Sequence, residues 1–471
     1  MRSLRTDMHS PRAFPTLPHA PRRRRPWAAA LVLVLATSTQ AQMQTQTQTQ
    51  TQTQTQTQTQ TPAPTEPMFD SPWKLSGFGT LGVVGQSGGN DWGFVRNSTQ
   101  LGAGSRLSAT PDSRLGVQLN WNPGTQWEAG VQGVVLSKPS GTPRAENIDW
   151  AYVGYRVLPD TRLRVGRTSP DIFLFADSRN VGFALPWARP PVDFYGFAPL
   201  VSIDGADLEQ RWSGDDTSWR ARLTAGSVRT GVTDVEGRRL PVKGRDALAL
   251  GLSREEGGLL LKASYLRSRF RVDVGDGPAQ LRDGLGQLGQ LPVPGLAGAL
   301  DTLSQNLWSG GPSSYMALAA QYDTGPWTFI AEGSQLRIAR SPLNAKRAYV
   351  SAGYRQGSLT YYGIASRVRP DQAPFAAPDA AGSLTPLIGA EGAQEAQGLI
   401  GLAAAAGHNY RYDQTTLSVG LRWDFTPTAA LKLQVDRFDV RTDGAAGWRF
   451  ADGRSGRGTL VSVLVDFVWG Q

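Results

Sequence analysis

From Trp73 onward the sequence is organised by the lengths of its connections. Short stretches alternate apolar and polar residues with a period of two, the signature of a half-buried strand. Arg114-Leu115-Gly116-Val117-Gln118-Leu119-Asn120-Trp121 is one, and Thr416-Leu417-Ser418-Val419-Gly420-Leu421-Arg422-Trp423 is another. Sixteen such stretches start near residues 73, 113, 126, 147, 161, 205, 217, 244, 258, 313, 326, 345, 358, 411, 428 and 457. The connections between them run long, short, long, short without a break. Long ones span 86–112, 137–146, 170–204, 230–243, 270–312, 338–344, 370–410 and 441–456. Tight turns such as Asn122-Pro123-Gly124-Thr125, Pro159-Asp160 and Gln356-Gly357 fill the other gaps. An antiparallel meander with an even number of strands puts every long loop at one end and both termini at the other. That is the plan of a transmembrane barrel; a soluble sandwich or propeller has no reason to sort loop lengths by parity. The chain is therefore expected to be all-β, a transmembrane antiparallel β-barrel of about sixteen strands over residues 73–471.

Aromatic residues check this independently. Trp121 and Trp127, Trp212 and Trp219, Tyr322 and Trp327, and Trp423 and Phe425 flank short turns, while Trp73 and Trp469 stand at the two ends. All fall at one membrane face, as an interfacial girdle requires. On the strands the apolar phase (Leu115, Val117, Leu119; Val461, Val463, Val465) would face lipid. The opposite phase carries Arg114, Gln118, Glu128, Gln132, Arg156, Arg162, Arg164, Arg220, Arg222, Lys262, Glu332, Arg355, Arg422, Asp424, Lys432, Gln434, Asp436 and Asp466. So many charges cannot be buried dry, whereas a barrel of about sixteen strands leaves an aqueous channel that solvates them. The candidate lining of the wall is Arg114, Arg156, Arg162, Arg164, Arg220, Arg222, Arg422 and Lys432.

The head of the chain is a different material. Arg22-Arg23-Arg24-Arg25 precede an apolar run from Ala28 to Ala36 and then Thr39-Gln40-Ala41, the plan of a signal peptide over 1–41 cut after Ala41. The residues before Arg22 are long for a basic n-region, so translation from Met8 is an alternative. Residues 42–61 alternate Gln and Thr, and 62–72 add Pro62, Pro64, Pro67 and Pro72, so 42–72 reads as a disordered tether or as repeat slippage. The leader holds seven Arg and one Asp of a chain whose formal charge is +9, leaving +3 for the rest. The basic excess is thus no argument for nucleic acid.

With no Cys and only three His, two of them (His9, His19) in the leader, thiolate and His-rich metal sites are excluded. No Walker loop, dinucleotide fingerprint or HExxH occurs. His408 lies in an Ala/Gly-rich loop and reads as a surface histidine, and Asp215-Asp216 and Glu255-Glu256 read as solvated turn residues. Loops 281–308 and 388–406, rich in Leu, Ala and Gly, can hold short helices. No catalytic residue and no cofactor is expected.

Trp73-Lys74-Leu75-Ser76-Gly77-Phe78-Gly79-Thr80-Leu81-Gly82 resembles the opening of Gram-negative outer-membrane porin-like proteins, the sixteen-stranded general trimeric porins. Asp112-Ser113-Arg114-Leu115-Gly116-Val117-Gln118 does so too. Asp149-Trp150-Ala151-Tyr152-Val153-Gly154-Tyr155 with Arg164-Val165-Gly166-Arg167 is similar to the strand pair before that family's third loop. The resemblance implies a homotrimer in the outer membrane, among lipid and lipopolysaccharide, assembled by the barrel-assembly machinery. It also implies a long third loop folded into the lumen. The matching segment, 170–204, is rich in Phe, Trp, Leu and Pro and ill suited to float in water. Its Asp171, Asp177 and Asp193 would face wall arginines across a constriction, with Arg179 and Arg189 adding to the basic side or pairing with the acids. The chain departs from the family where a terminal aromatic is expected, since Trp469 is followed by Gly470-Gln471. The function expected is passive diffusion of small hydrophilic solutes, with mild anion preference because arginine outnumbers acid on the polar phase. The alternatives are an outer-membrane barrel serving as an enzyme or adhesin platform, and a secreted soluble β-protein.

Overall fold

The computed structural model describes residues 71–87, 93–197, 202–234, 237–307, 310–339, 341–373, 376–408, 411–441, 448–449 and 456–470. The expected signal peptide and Gln/Thr tether lie outside the described residues. The wall consists of β1 Trp73–Ser87, β2 Arg114–Trp121, β3 Trp127–Leu136, β4 Ile148–Leu158, β5 Thr161–Thr168, β6 Ile203–Ser213, β7 Thr217–Thr233 and β8 Arg239–Glu256. It continues with β9 Leu259–Val272, β10 Gly310–Thr324, β11 Trp327–Ile338, β12 Ala345–Gln356, β13 Leu359–Pro370, β14 Gln414–Thr426, β15 Ala429–Val440 and β16 Gly456–Trp469. Each strand pairs antiparallel with the next, and β16 returns to β1 in a ladder from Gly77↔Trp469 to Ser87↔Thr459. The result is a closed sixteen-stranded barrel with no free edge. The two-residue strand Leu107–Ser108 lengthens the pairing at the top of β1.

The period of two does the sorting. Leu115, Val117 and Leu119 are exposed while Arg114, Gly116 and Gln118, which alternate with them, are buried; the same alternation holds along β9, β14, β15 and β16. Over most of the wall the exposed phase is apolar and the inward phase polar, the exceptions being an inward apolar cluster around Leu266, Tyr315, Ile330 and Tyr349 and outward cations at the long-loop end of β7, β8 and β9. Turns follow from local chemistry: Gly257 and Gly258, at φ 54° and 82°, form the two-residue turn between β8 and β9 that suits twisted strands. At the seam, Gly77 and Gly79 on the outward face of β1 lie under Trp469 and Phe467. A Cβ would sit 1.9 and 2.3 Å from those rings, so only glycine lets the end of β16 lie flat there.

The turn-end aromatics gather as pairs. Trp212 is the register partner of Trp219, Trp73 lies 6.2 Å from Trp121, Trp127 lies 4.8 Å from Tyr155 and Trp327 lies 4.8 Å from Tyr354. The fourth connection differs from expectation. β7 and β8 run on past the wall, so only residues 234–238 join them rather than 230–243.

Four helices occur among the described residues: α1 Val192–Tyr195, α2 Gly277–Leu288, α3 Leu296–Asn306 and α4 Ala381–His408. α4 is broken at Gly389 (φ 77°) and carries Pro386. No helix of the described residues is long and apolar enough to cross a membrane. α2, α3 and α4 come from two different long loops and bury Leu285, Leu300, Leu303, Leu384 and Ile400 against one another. They form a small helical lobe at the long-loop end.

Candidate functional site

The segment between β5 and β6 is held against the inward phase of the wall. Its sequence is apolar at Ile172, Phe173, Leu185, Trp187 and Phe194, and all five are buried in one cluster with Leu266, Tyr315, Ile330, Tyr349 and Tyr362 of the wall. Phe175 and Tyr349 each meet Trp187 edge-on, at 5.4 and 5.6 Å. Burying each large side chain stabilises the docked segment by about 1.5–3 kcal/mol relative to exposure.

Polar contacts fix its path. Leu174 N donates to Glu332 on β11 (2.9 Å), whose carboxylate also accepts from Tyr195 and, at 2.6 Å, Tyr349. Trp187 Nε1 donates to Ser351 on β12 at 2.7 Å. Lys432 on β15, wholly buried, donates to the carbonyls of Gly182, Leu185 and Trp187 at 2.7, 2.7 and 2.9 Å and pairs with Asp466 at 3.0 Å. Arg422 on β14 donates to the carbonyls of Phe183 and Leu185 at 2.8 and 2.9 Å. On the other side Arg114 on β2 donates to Asn180 O at 2.6 Å, and Asn180 reaches Asp149 on β4 at 2.7 Å.

The expected constriction residues occupy distinct surroundings. Asp171 is buried and pairs with Lys262 of β9 and with Arg220 of β7 (3.1 Å). Burial works against its charge, but Lys262, Arg220 and Arg222 outweigh that and hold the carboxyl below the ordinary range. Asp177 is 43 % exposed and lies 3.5 Å from Arg222. Arg179 is half-buried, and its carbonyl accepts from Arg96 at 3.5 Å. Arg189 is buried in a cluster with Asp112 (2.7 Å) and Asp436 (2.6 Å), and donates to Ser462 at 2.5 Å. Burial disfavours its charge, yet Asp112 and Asp436 raise it above the ordinary arginine value. Asp193 meets the expected wall arginines only at a distance. Arg367 and Arg347 of the wall act on it only through space, without an ion pair among the described residues, and it accepts from Ser366 at 2.7 Å and Gln414 at 2.5 Å. With no cation in contact, burial pushes its carboxyl up to about 6.

On the wall, Arg162 bridges Glu128 (3.3 Å) and Glu209 (3.2 Å). Arg164 pairs with Asp207 at 3.0 Å, and Arg222 with Asp207 at 3.4 Å. Arg220 also lies 3.7 Å from Glu209. Arg156 is exposed at the turn end, directly across from Arg162. Asp112, which locks Arg189, and Arg96, which lies 3.5 Å from the same Asp112, were not singled out by sequence. Asp112 is 77 residues from Arg189 and nothing local marks the pairing. Among the described residues no group of His, Asp and Glu could hold a metal.

Fold and site together define a class: a closed antiparallel barrel, apolar outside and polar within, with a long loop bonded to its inner phase. No protein-family model and no curated protein matches the sequence. Solved structures do show likenesses. The outer-membrane expressed OmpT of Vibrio cholerae is 11 % identical with a TM-score of 0.43, covering 86 % of this chain and 100 % of that one. OmpF of Salmonella typhi in complex with daunomycin is 12 % identical with a TM-score of 0.45, over 84 % and 97 %. An anion-selective porin from Comamonas acidovorans is 10 % identical with a TM-score of 0.44, over 84 % and 99 %. Likeness at this level assigns neither family nor activity to the chain.

Proposed function

We propose that this chain is an outer-membrane diffusion channel that passes small hydrophilic solutes without chemistry and mildly prefers anions. The observation that carries the reading is the sorting of a closed sixteen-stranded wall into an apolar outward phase and a charged inward phase. An apolar band closed on itself is what a bilayer demands of strands. In this reading the segment 170–197 folds into the lumen and narrows it. Asp171, Arg189, Asp193 and Lys432 pin its path, and Asp177, Arg156, Arg162 and Arg220 keep water contact along the passage. Anion preference rests on exposed Arg156 and on Arg162 and Arg220, which are paired with acids but stay partly exposed, whereas most other wall arginines are both paired and buried. A homotrimer assembled by the barrel machinery among outer-membrane lipid and lipopolysaccharide is part of the same proposal.

The test is a planar-bilayer recording of the purified protein in a salt gradient. Steady conductance with a reversal potential on the anion side supports the reading, and clear cation selectivity rejects its ionic part. The segment's bonds to strands on opposite sides of the wall favour a second reading, a closed barrel used as an enzyme or adhesin platform. A barrel that inserts yet passes no current rejects the channel and leaves the platform reading.

A further inference from the structure

On β7, β8 and β9 the outward phase changes character along its length. From the turn end it runs Leu223 and Ala225 on β7, Leu252, Leu250 and Leu248 on β8, and Leu261, Ala263 and Tyr265 on β9. It then turns basic on all three strands at once, with Arg229, Lys243 and Arg245, and Arg267, Arg269 and Arg271, all exposed. These are neighbours across the ladder: Lys243 is the register partner of both Arg229 and Arg271, and Arg245 of Arg269. The bulge between Gly244 and Ala247 falls at the boundary, with Asp246 at φ 53°. Its acids are Asp246, 3.7 Å from Arg269, and Asp273, exposed two residues beyond Arg271 at the patch's upper rim. The other five cations have no side-chain hydrogen bond or ion pair among the described residues.

Six like charges side by side repel one another, and on a lipid-facing wall they are tolerated only near the interface. Their height fits that. Ten residues of β7 separate Trp219 in the turn-end aromatic ring from Arg229. At about 3.3 Å per residue and a tilt of roughly 40°, this is about 25 Å along the membrane normal, the height of the apolar band. The patch therefore sits at the headgroup level of the leaflet on the long-loop side.

We infer that this face of β7–β9 is a docking surface for phosphorylated lipid headgroups of that leaflet, the phosphates of lipopolysaccharide in the outer membrane proposed above. The inference rests on that proposal. Charge complementarity selects the occupant. A phosphate bears the sign and oxygen acceptors that a cluster of guanidinium and ammonium groups attracts. A second copy of the chain is the poorer fit, because the outward acid at the same level on the far wall, Asp439, is taken by Arg457 at 3.5 Å.

The full chain is reconstituted into phosphatidylcholine nanodiscs containing either diphosphorylated or dephosphorylated lipid A. Lipid retained on the protein is counted by native mass spectrometry. The protein is compared with a Lys243→Gln/Arg245→Gln/Arg267→Gln/Arg269→Gln variant and with an Arg245→Lys/Arg267→Lys/Arg269→Lys variant. Wild type and the lysine variant should retain the diphosphorylated form at least about tenfold better than the dephosphorylated one, and the glutamine variant should lose that preference. Channel conductance and heat-modifiable migration, unchanged in all three, show that the barrel is intact. Equal retention by wild type and the glutamine variant overturns the assignment. So does dissociation of oligomers in the glutamine variant with lipid retention unaltered, which would make the patch a contact between copies. A wild-type barrel that fails to insert at all overturns the membrane reading itself. Insertion without phosphate preference overturns only the patch.

Discussion

The ammonium of Lys432 lies 2.7 Å from the carbonyl oxygen of Leu185, although 247 residues separate the two. With Gly182 O, Trp187 O and Asp466, this surrounds one wall cation with four oxygens of the loop and the neighbouring strand. The bonds to the loop use main-chain atoms, so it is the path of the backbone that Lys432 sets.

Replacing Lys432 with Met should loosen residues 182–187, which Arg422 and Ser351 still hold, and leave Asp466 buried with Thr80 alone as its 2.5 Å hydrogen-bond donor. Losing one partner of a buried pair costs about 3–5 kcal/mol. Thermal unfolding should report that loss, and single-channel records should show larger, noisier conductance. Unchanged conductance would mean that the segment does not limit the passage.

Arg189→Leu should destabilise by a similar amount, about 3–5 kcal/mol, by stranding Asp112 and Asp436. Asp112 is held below the ordinary carboxylate range against its own burial, by Arg189 first and then Arg96 and Arg114, so removal of Arg189 should raise its pKa. The variant should therefore recover part of its stability in acid. A denaturation series from pH 4 to 7 measures this.

Asp193 should make segment docking stronger in mild acid. Its folded pKa is raised to about 6 from an ordinary 3.8, so between those values the folded state holds a proton that the unfolded state has released. Stability then falls as pH rises through that window and levels off above it. Asp193→Asn should abolish this component. The difference between the two proteins' unfolding midpoints, plotted against pH, should carry the slope, and a flat difference would refute the assignment.

Arg162→Gln with Arg220→Gln removes two partly exposed cations and leaves Glu209 with fewer partners. The anion-over-cation permeability ratio should fall at least about twofold, read from reversal potentials.

Gly79→Val should open the seam. The added carbons meet the Phe467 ring, whose nearest atom is 2.3 Å from the Cβ position. Overpacking of this kind costs about 1–3 kcal/mol. Heat-modifiable gel migration should show a lower unfolding temperature, whereas Gly363→Ala, whose Cβ meets nothing closer than 3.9 Å, should not.

Strand positions were legible because a period of two and turns such as Gly257-Gly258 are local properties of the chain. The apolar content of 170–204 likewise marked it as a segment that must pack. Its partners were not legible. Arg189 meets Asp436 across 247 positions, and Asp193 meets Ser366 and Gln414, whose neutral side chains give no charge pattern to follow. The lining was legible by phase and not by exposure. Lys432 and Arg222 share that phase with Arg156, but loop carbonyls and acids cover the first two and leave the third in water. The extension of β7 and β8 beyond the wall was hidden because Arg239-Leu240-Pro241-Val242 carries a proline and breaks the alternation.

The ladder from Gly77 to Ser87 on β1 and from Thr459 to Trp469 on β16 joins the first part of the wall to be made with the last. One whole side of the β1 backbone stays unanswered until the final stretch of chain is in place. No intermediate length of chain can satisfy that side, so completion is all or none.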